Sequence, residues 1–219
     1  MKLSKRLNKI VEFVPIDASF IADIGADHGY IPLKLLENRD NISIFASDNK
    51  IGPFSRLKTN LSSKNNVILS LSSGLDELPS NVDTVIISGM GGGLIKSILE
   101  KGSVHFSHVK YFLLSPHKEE DLVRSYLYEN GYIIEKEDFI KDDNKFYSII
   151  LFKKGEGNLS YLDAKYGPFI RVNKNDDFKE YINNELTRLN ALKTIKNIDS
   201  RRLNEIMDEI KELESLWLI

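Results

Sequence analysis

Residues 20–153 alternate between short β-branched, apolar runs and longer stretches with helical spacing, and few architectures can absorb that pattern. Phe20–Ile24, Ile42–Asp48, Val67–Leu71, Asp83–Ser88 and Lys110–Leu114 read as strands. Helices are expected from about Gly29 to Arg39 with Pro32 in the first turn, from Pro53 to about Leu61, and from about Gly92 to Lys101. A further helix starts at Pro116 and Glu119 and stops at Asn130-Gly131. Strand–helix alternation builds a parallel sheet with helices on both faces and right-handed crossovers. The pattern then changes. Tyr132–Phe139 and Lys145–Lys153 are strand-like and joined by Lys141-Asp142-Asp143-Asn144, which reads as an antiparallel hairpin.

Gly155-Glu156-Gly157-Asn158 looks like a joint, dividing the chain into a sheet domain over 1–157 and a helical region over 158–219. Tyr166-Gly167-Pro168-Phe169 is a local turn or helix break. From about Asp176, Ile182, Leu186, Leu189 and Leu192 or Lys193 recur at helical steps. Leu203, Ile206, Ile210, Leu213 and Leu216 or Trp217 do the same. Asn197-Ile198-Asp199-Ser200 between them supplies a stop and a new N-cap, so two antiparallel helices are expected, coiled-coil-like, packed on the sheet domain or projecting from it.

Composition narrows the class of partner. No apolar run approaches the roughly 20 residues of a membrane-spanning helix. The N-terminus lacks the apolar core of a signal peptide. The absence of cysteine excludes disulfides, thiolate zinc sites and a cysteine nucleophile, and fits a cytoplasmic protein. Thirty basic residues against 32 acidic ones leave a charge of −2, so any contact with a polyanion must come from a local patch. Lys2, Lys5, Arg6 and Lys9, with no acid among the first ten residues, form the densest one.

Four segments fall at expected strand ends, where open α/β sheets bind ligands. The first is Asp23-Ile24-Gly25-Ala26-Asp27-His28-Gly29-Tyr30. It fails as a dinucleotide fingerprint, because Gly25 and Gly29 are four apart and the G-x-G-x-x-G spacing is absent. It fits the acidic-x-Gly-x-Gly-x-Gly loop of methyltransferases at three of four positions, with Asp27 in place of the middle glycine. Two carboxylates would repel pyrophosphate but suit S-adenosylmethionine, which carries a sulfonium and an ammonium. Alternatively Asp23 and Asp27 brace the turn and His28 packs, or Asp23, Asp27, His28 and Asp48 hold a metal. The second segment, Ala46-Ser47-Asp48-Asn49, places an acid where ribose hydroxyls would lie, or else a solvated strand-end acid. The third, Ser72-Ser73-Gly74-Leu75, would edge an adenine or make an ordinary turn. The fourth, Ser88-Gly89-Met90-Gly91-Gly92-Gly93, lets backbone approach something closely: a ligand, a phosphate, or only a tight strand-to-helix turn.

A terminal hairpin on a parallel sheet separates a Rossmann-like class I methyltransferase from a plain dinucleotide-binding domain. Together, Leu3-Ser4-Lys5-Arg6-Leu7, the Asp23-Ile24-Gly25-x-Asp27-His28-x-Tyr30-x-Pro32 segment, Gly52-Pro53-Phe54, Gly74-Leu75, Gly89-Met90-Gly91-Gly92 and the helical tail resemble the bacterial tRNA (adenine-22-N1)-methyltransferase family. The resemblance implies S-adenosyl-L-methionine as cofactor, held by Asp23, Gly25, Asp27, His28, Asp48, Asn49, Ser73, Gly74 and Leu75, and a D-arm adenine near Gly89–Gly92. The family usually has an acid where Ser73 stands, and Gln-Pro-Asn where this chain has Ser115-Pro116-His117.

Adenine N1 is already nucleophilic, so transfer needs in-line placement rather than a strong base. The cationic product would be stabilised by nearby oxygens, with Asp27 and the carbonyls of Gly89, Met90 and Gly91 as candidates. Tyr30 and His117 could stack on or orient the base; otherwise Tyr30 is a core aromatic and His117 a surface residue. Phosphates of the tRNA would meet Lys2, Lys5, Arg6 and Lys9, together with Arg188, Lys193, Lys196, Arg201 and Arg202 of the tail. From Asp176 on, that tail carries seven basic residues against ten acidic ones. Nothing in the sequence names an obligate protein partner. The rival readings are a methyltransferase of small molecules or proteins, and a non-enzymatic nucleotide-binding module.

Overall fold

The computed structural model describes residues 3–195 and 198–217. β1 (Phe20–Ile24), β2 (Ser43–Asp48), β3 (Val67–Leu71), β4 (Thr84–Met90) and β5 (Tyr111–Pro116) run parallel, and β6 (Tyr132–Asp142) and β7 (Lys145–Lys154) form the closing hairpin. The seven strands lie in the order β3-β2-β1-β4-β5-β7-β6, with β7 antiparallel to both neighbours. The expected Rossmann-like sheet with its terminal hairpin is therefore present. The order reverses between β1 and β4, and this switch point opens the crevice in which such sheets take ligands.

The central strands are buried on both faces, as parallel strands between helical layers must be. Side-chain alternation divides them cleanly. Ala22, Ile24, Val85, Ile87, Phe112 and Leu114 pack toward α4 (Gly92–Lys101) and α5 (Glu120–Glu129). Ile21, Ile44, Ile86 and Leu113 pack toward α2 (Tyr30–Asn38) and α3 (Ile51–Leu61).

The second face has a third helix that charge alone did not announce. The basic N-terminal segment folds as α1 (Lys5–Phe13), capped by Ser4, whose Oγ accepts from the Leu7 amide at 3.3 Å. Leu3, Ile10 and Val11 go into the core while the lysines stay at the rim, so the patch is one side of an amphipathic helix.

Beyond Lys154 come two short helices, α6 (Tyr161–Tyr166) and α7 (Pro168–Asn173), with the break between them at Gly167. The hairpin α8 (Asp176–Lys193) and α9 (Ser200–Ser215) follows. Asn175 caps α8 and Asp199 caps α9; Lys196 and Asn197 lie outside the described residues. Ile182 and Leu189 pack with Ile206, Ile210 and Leu213, and the same cluster takes in Phe139 and Phe146 from the far end of the β6–β7 hairpin. The helical hairpin thus sits on the long β-hairpin rather than projecting free. A buried ion pair reinforces this junction. Arg124 Nη2 lies 3.2 Å from Glu137 Oε2, both side chains fully buried. Arg124 Nη1 donates to the Ala164 carbonyl at 2.9 Å, and Glu137 Oε1 accepts from the Phe169 amide at 2.8 Å.

Candidate functional site

A cavity of about 290 Å³ opens at the carboxyl ends of β1 and β4, lined by Asp23, Gly25, Asp27, His28, Tyr30, Gly89, His117 and Arg6 among others. Six of these come from two loops, 23–30 and 88–89, and the sheet order alone brings those loops together. Arg6 and His117 are added by α1 and by the turn after β5.

Asp23 and Asp48 end adjacent parallel strands and are both buried. The loss of solvent, followed by repulsion from Asp48, pushes the Asp23 carboxyl up to about 7. A carboxyl so raised is poised for a cation, which would restore its charge at neutral pH. The chain leaves β1 through Gly25, whose φ of +73° favours glycine, and the Gly25 and Ala26 amides both donate to the Ser47 carbonyl at 2.9 Å. Any side chain on Gly25 would strike the methyl of Met90, which lies over this turn from the end of β4.

Asp27 is half exposed at the cavity wall. Its Oδ1 accepts from Arg56 Nη2 at 2.7 Å, and its Oδ2 stands 3.8 Å from His28 Nε2. The His28 and Tyr30 rings are stacked at 5.0 Å with planes 7° apart. Asn60 Nδ2 donates to the His28 carbonyl at 2.9 Å, which ties the loop to α3.

The glycine-rich loop after β4 separates into two functions. Gly89 is the bulge where the β4–β5 register shifts, and it faces the cavity. Gly92 begins α4 so tightly against the turn before α5 that a Cβ there would collide with the Glu119 carbonyl. The Gly92 amide donates to the Lys118 carbonyl at 2.9 Å, and the Gly93 amide to the Glu119 carboxylate at 3.0 Å. The start of α4 is thus occupied by the protein's own carboxylate, which argues against the phosphate-cradle reading of this loop. The Met90 carbonyl accepts from the His117 amide at 2.8 Å, and the Gly91 carbonyl accepts from Leu94 and Ile95 at 3.1 Å.

Asp48, Asn49, Ser73, Gly74 and Leu75 stand along the same sheet edge but do not line the cavity. Asn49 and Ser73 are exposed, whereas Leu75 turns into the core. Among the basic candidates, Lys5 pairs with Asp177 at 2.6 Å, and Lys9 with Glu12 at 3.2 Å and Asp138 at 3.3 Å. Arg188, Arg201 and Arg202 pair with glutamates about a turn away on their own helices, while Lys2 and Lys196 lie outside the described residues.

Arg6 is the surprise of the site. Its amide donates to Asp142 Oδ2 at 3.0 Å and its guanidinium lies 5.0 Å from the Tyr147 ring centre. Its Nη1 is buried. The His117 ring meets the same tyrosine edge-on at 5.5 Å, and a Cβ built on Gly89 would be 3.9 Å from both Arg6 Nη1 and His117 Nε2. Burial, then Arg6, then Lys145 hold the His117 imidazole below its ordinary range, so it is neutral at pH 7. Tyr147 was not foreseen from sequence, because nothing local to β7 marks it; only the pairing of hairpin and N-terminal helix puts it here. Among the described residues, no group of three or more His, Asp or Glu side chains could hold a metal ion, and no helix is long and apolar enough to cross a membrane.

The fold and this acid-lined crevice define a class. A family profile described as a methyltransferase domain matches residues 3–150, and the chain belongs to that family of methyltransferases. The Bacillus subtilis tRNA (adenine(22)-N(1))-methyltransferase is 29% identical over 202 residues, spanning 88% of this chain and 84% of that one. A Streptococcus pneumoniae protein, Sp1610, named as a candidate tRNA (m1A22) methyltransferase, is 30% identical with a TM-score of 0.91, covering 98% of this chain and 99% of its own. Mycoplasma capricolum TrmK, solved with S-adenosyl-homocysteine, is 25% identical with a TM-score of 0.87 over 98% of this chain and 97% of its own. Within the class, this chain is a member of the tRNA (adenine-22-N1)-methyltransferase family.

Proposed function

We propose that this protein transfers a methyl group from S-adenosyl-L-methionine to N1 of adenine 22 in tRNA. The observation that carries the reading is the pair of buried carboxylates, Asp23 and Asp48, at adjacent strand tips beside a glycine turn. That arrangement suits a ligand with positive charge and ribose hydroxyls, and it would repel pyrophosphate. The bound cofactor supplies an electrophilic methyl group on sulfonium.

The chain's own residues then have distinct tasks. Asp23 accepts from the ammonium group, and Asp48, with Asn49 beside it, accepts from the ribose hydroxyls. Gly25 lets the ligand lie on the turn, and Ser73 and Gly74 form the far edge toward the adenine, with Leu75 anchoring that loop in the core. Asp27 and His28, braced by Arg56 and Asn60, wall the cavity. The target adenine enters beside Gly89, where Tyr30 offers an exposed ring. The neutral His117 Nε2 can accept from the base's amino group as positive charge develops on it. Of the three loop residues only Gly89 lines the cavity, so its carbonyl is the favoured oxygen.

N1 lies on the pairing edge, so the adenine must be unpaired or turned out of the stack to reach this cavity. Lys5 and Lys9 would exchange their carboxylate partners, of which Asp177 and Asp138 are partly buried, for phosphates. The division at about residue 157 leaves residues 1–157 as the catalytic domain and residues 158–219 as a helical platform for the rest of the tRNA. A tRNA substrate places the activity in the cytoplasm.

The test is transfer of labelled methyl from S-adenosyl-L-methionine to unmodified tRNA carrying either adenine or guanine at position 22. Label on N1 of the adenine, absent from the guanine variant, is the expected result. Cofactor binding without transfer to any tRNA would overturn the assignment and favour a small-molecule or protein substrate.

A further inference from the structure

We propose that Arg6 is the anchor for the carboxylate of the cofactor's amino-acid end, rather than a contact for tRNA phosphate. This rests on the cofactor reading above and names a residue for a part of that ligand which the acidic loop cannot serve. The amino-acid end of S-adenosyl-L-methionine carries an ammonium and a carboxylate on one carbon. Asp23 provides for the ammonium, and the charges of Asp23 and Asp27 would repel its carboxylate neighbour. A cation on the opposite wall would offset that repulsion. Arg6 is the one lysine or arginine lining the cavity among the described residues, and both cavity-facing histidines are weaker candidates because they carry charge only when protonated.

Three features of Arg6 fit that role. Its Nη1 is shielded from solvent and has no hydrogen-bond partner in the protein. A buried guanidinium N–H without an acceptor is costly, so the site is complete only when an acceptor arrives. The guanidinium also lies against the face of Tyr147 before any ligand enters, on a backbone fixed by the hydrogen bond from the Arg6 amide to Asp142. An aromatic face attracts the guanidinium without consuming an in-plane N–H, leaving those donors for a carboxylate. Finally, Nη1 is directed toward Gly89 and the acidic cavity. A tRNA phosphate would be repelled there by Asp23 and Asp27.

The test compares S-adenosyl-L-methionine with decarboxylated S-adenosylmethionine by isothermal titration, without tRNA. Wild-type protein should prefer the carboxylated ligand. Arg6→Met should lose about 10- to 100-fold in affinity for it, the value of one charge-assisted hydrogen bond, with less than about threefold change for the decarboxylated ligand. Tyr147→Phe should keep wild-type discrimination, whereas Tyr147→Leu should reduce it. Equal losses for both ligands, or no loss for either, would overturn the proposal. So would intact cofactor binding combined with weakened tRNA binding in Arg6→Met. Wild-type protein that binds neither ligand would overturn the cofactor reading itself, so the two failures are distinguishable.

Discussion

Replacing Asp23 by asparagine should make the protein more stable and its site worse. Asp23 is 3% exposed, and desolvation followed by the charge of Asp48 moves its carboxyl from 3.8 to about 7. At about 1.4 kcal/mol for each tenfold change, that difference corresponds to about 4 kcal/mol. The sign follows from proton binding. Between pH 4 and 7 the folded chain keeps this proton while the unfolded chain has lost it, so stability falls as pH rises through that window and levels off above 7. Asparagine has nearly the same shape and no proton to lose. The stability difference, variant minus wild type, should therefore climb from pH 4 to 7 and reach a plateau. The plateau should lie below about 4 kcal/mol, because the amide must find partners of its own. Urea unfolding of both proteins at pH 4.5, 5.5, 6.5 and 8 measures the difference directly, and titrations common to both cancel. In the same preparations, cofactor binding should weaken about 10- to 100-fold with loss of the ammonium contact. A stability difference that is flat or falls between pH 4 and 7 would refute the assignment of Asp23 as a buried, raised carboxyl. Unchanged cofactor affinity would refute its role as the ammonium partner.

Other perturbations probe other parts of the molecule. Arg124→Met leaves the Glu137 carboxyl buried without its partner and should destabilise the fold by about 3–5 kcal/mol in urea unfolding. Gly92→Ala drives a methyl into the Glu119 carbonyl and should cost about 1–3 kcal/mol; a neutral result would mean that the loop can be displaced freely. Asp48→Ala should weaken cofactor binding about tenfold or more by titration calorimetry, whereas Lys5→Ala should leave it unchanged and weaken tRNA in filter binding. Equal cofactor losses from those two would contradict the separation of the sites. Because His117 is held below its ordinary range, protonation on acidification adds positive charge beside Arg6 and removes an acceptor from the base. Methyl transfer should therefore decline on acidification only below the ordinary histidine range, and His117→Asn should lose that limb of the pH profile.

The legibility of this protein in its sequence was uneven, for reasons that differ by segment. Val67–Leu71 and Gly92–Lys101 are found with the expected limits because local pattern and chain punctuation agree there. β4 instead runs on to Met90, since the bulge at Gly89 carries the chain past the point where apolar residues stop. α1 shows in the sequence as a charge cluster, because the four basic residues mask the apolar Leu3, Ile10 and Val11 that hold it to the sheet. The Gly-Met-Gly-Gly-Gly run was legible as a place of close approach, but not what approaches at Gly92: the Glu119 turn rather than a phosphate.

By itself the sequence determined the sheet, its closing hairpin and the acidic turn after β1. Each is written in local periodicity or in residues a few positions apart, and charge chemistry then pointed to a cationic cofactor. What only the tertiary structure decided is which charges face inward. Arg6 and Lys5 are neighbours in a basic run, yet Lys5 pairs with Asp177 at the rim while Arg6 turns beneath Tyr147 toward Gly89. That choice depends on helical phase and on partners more than a hundred residues away, so composition and spacing could mark the patch but not divide it.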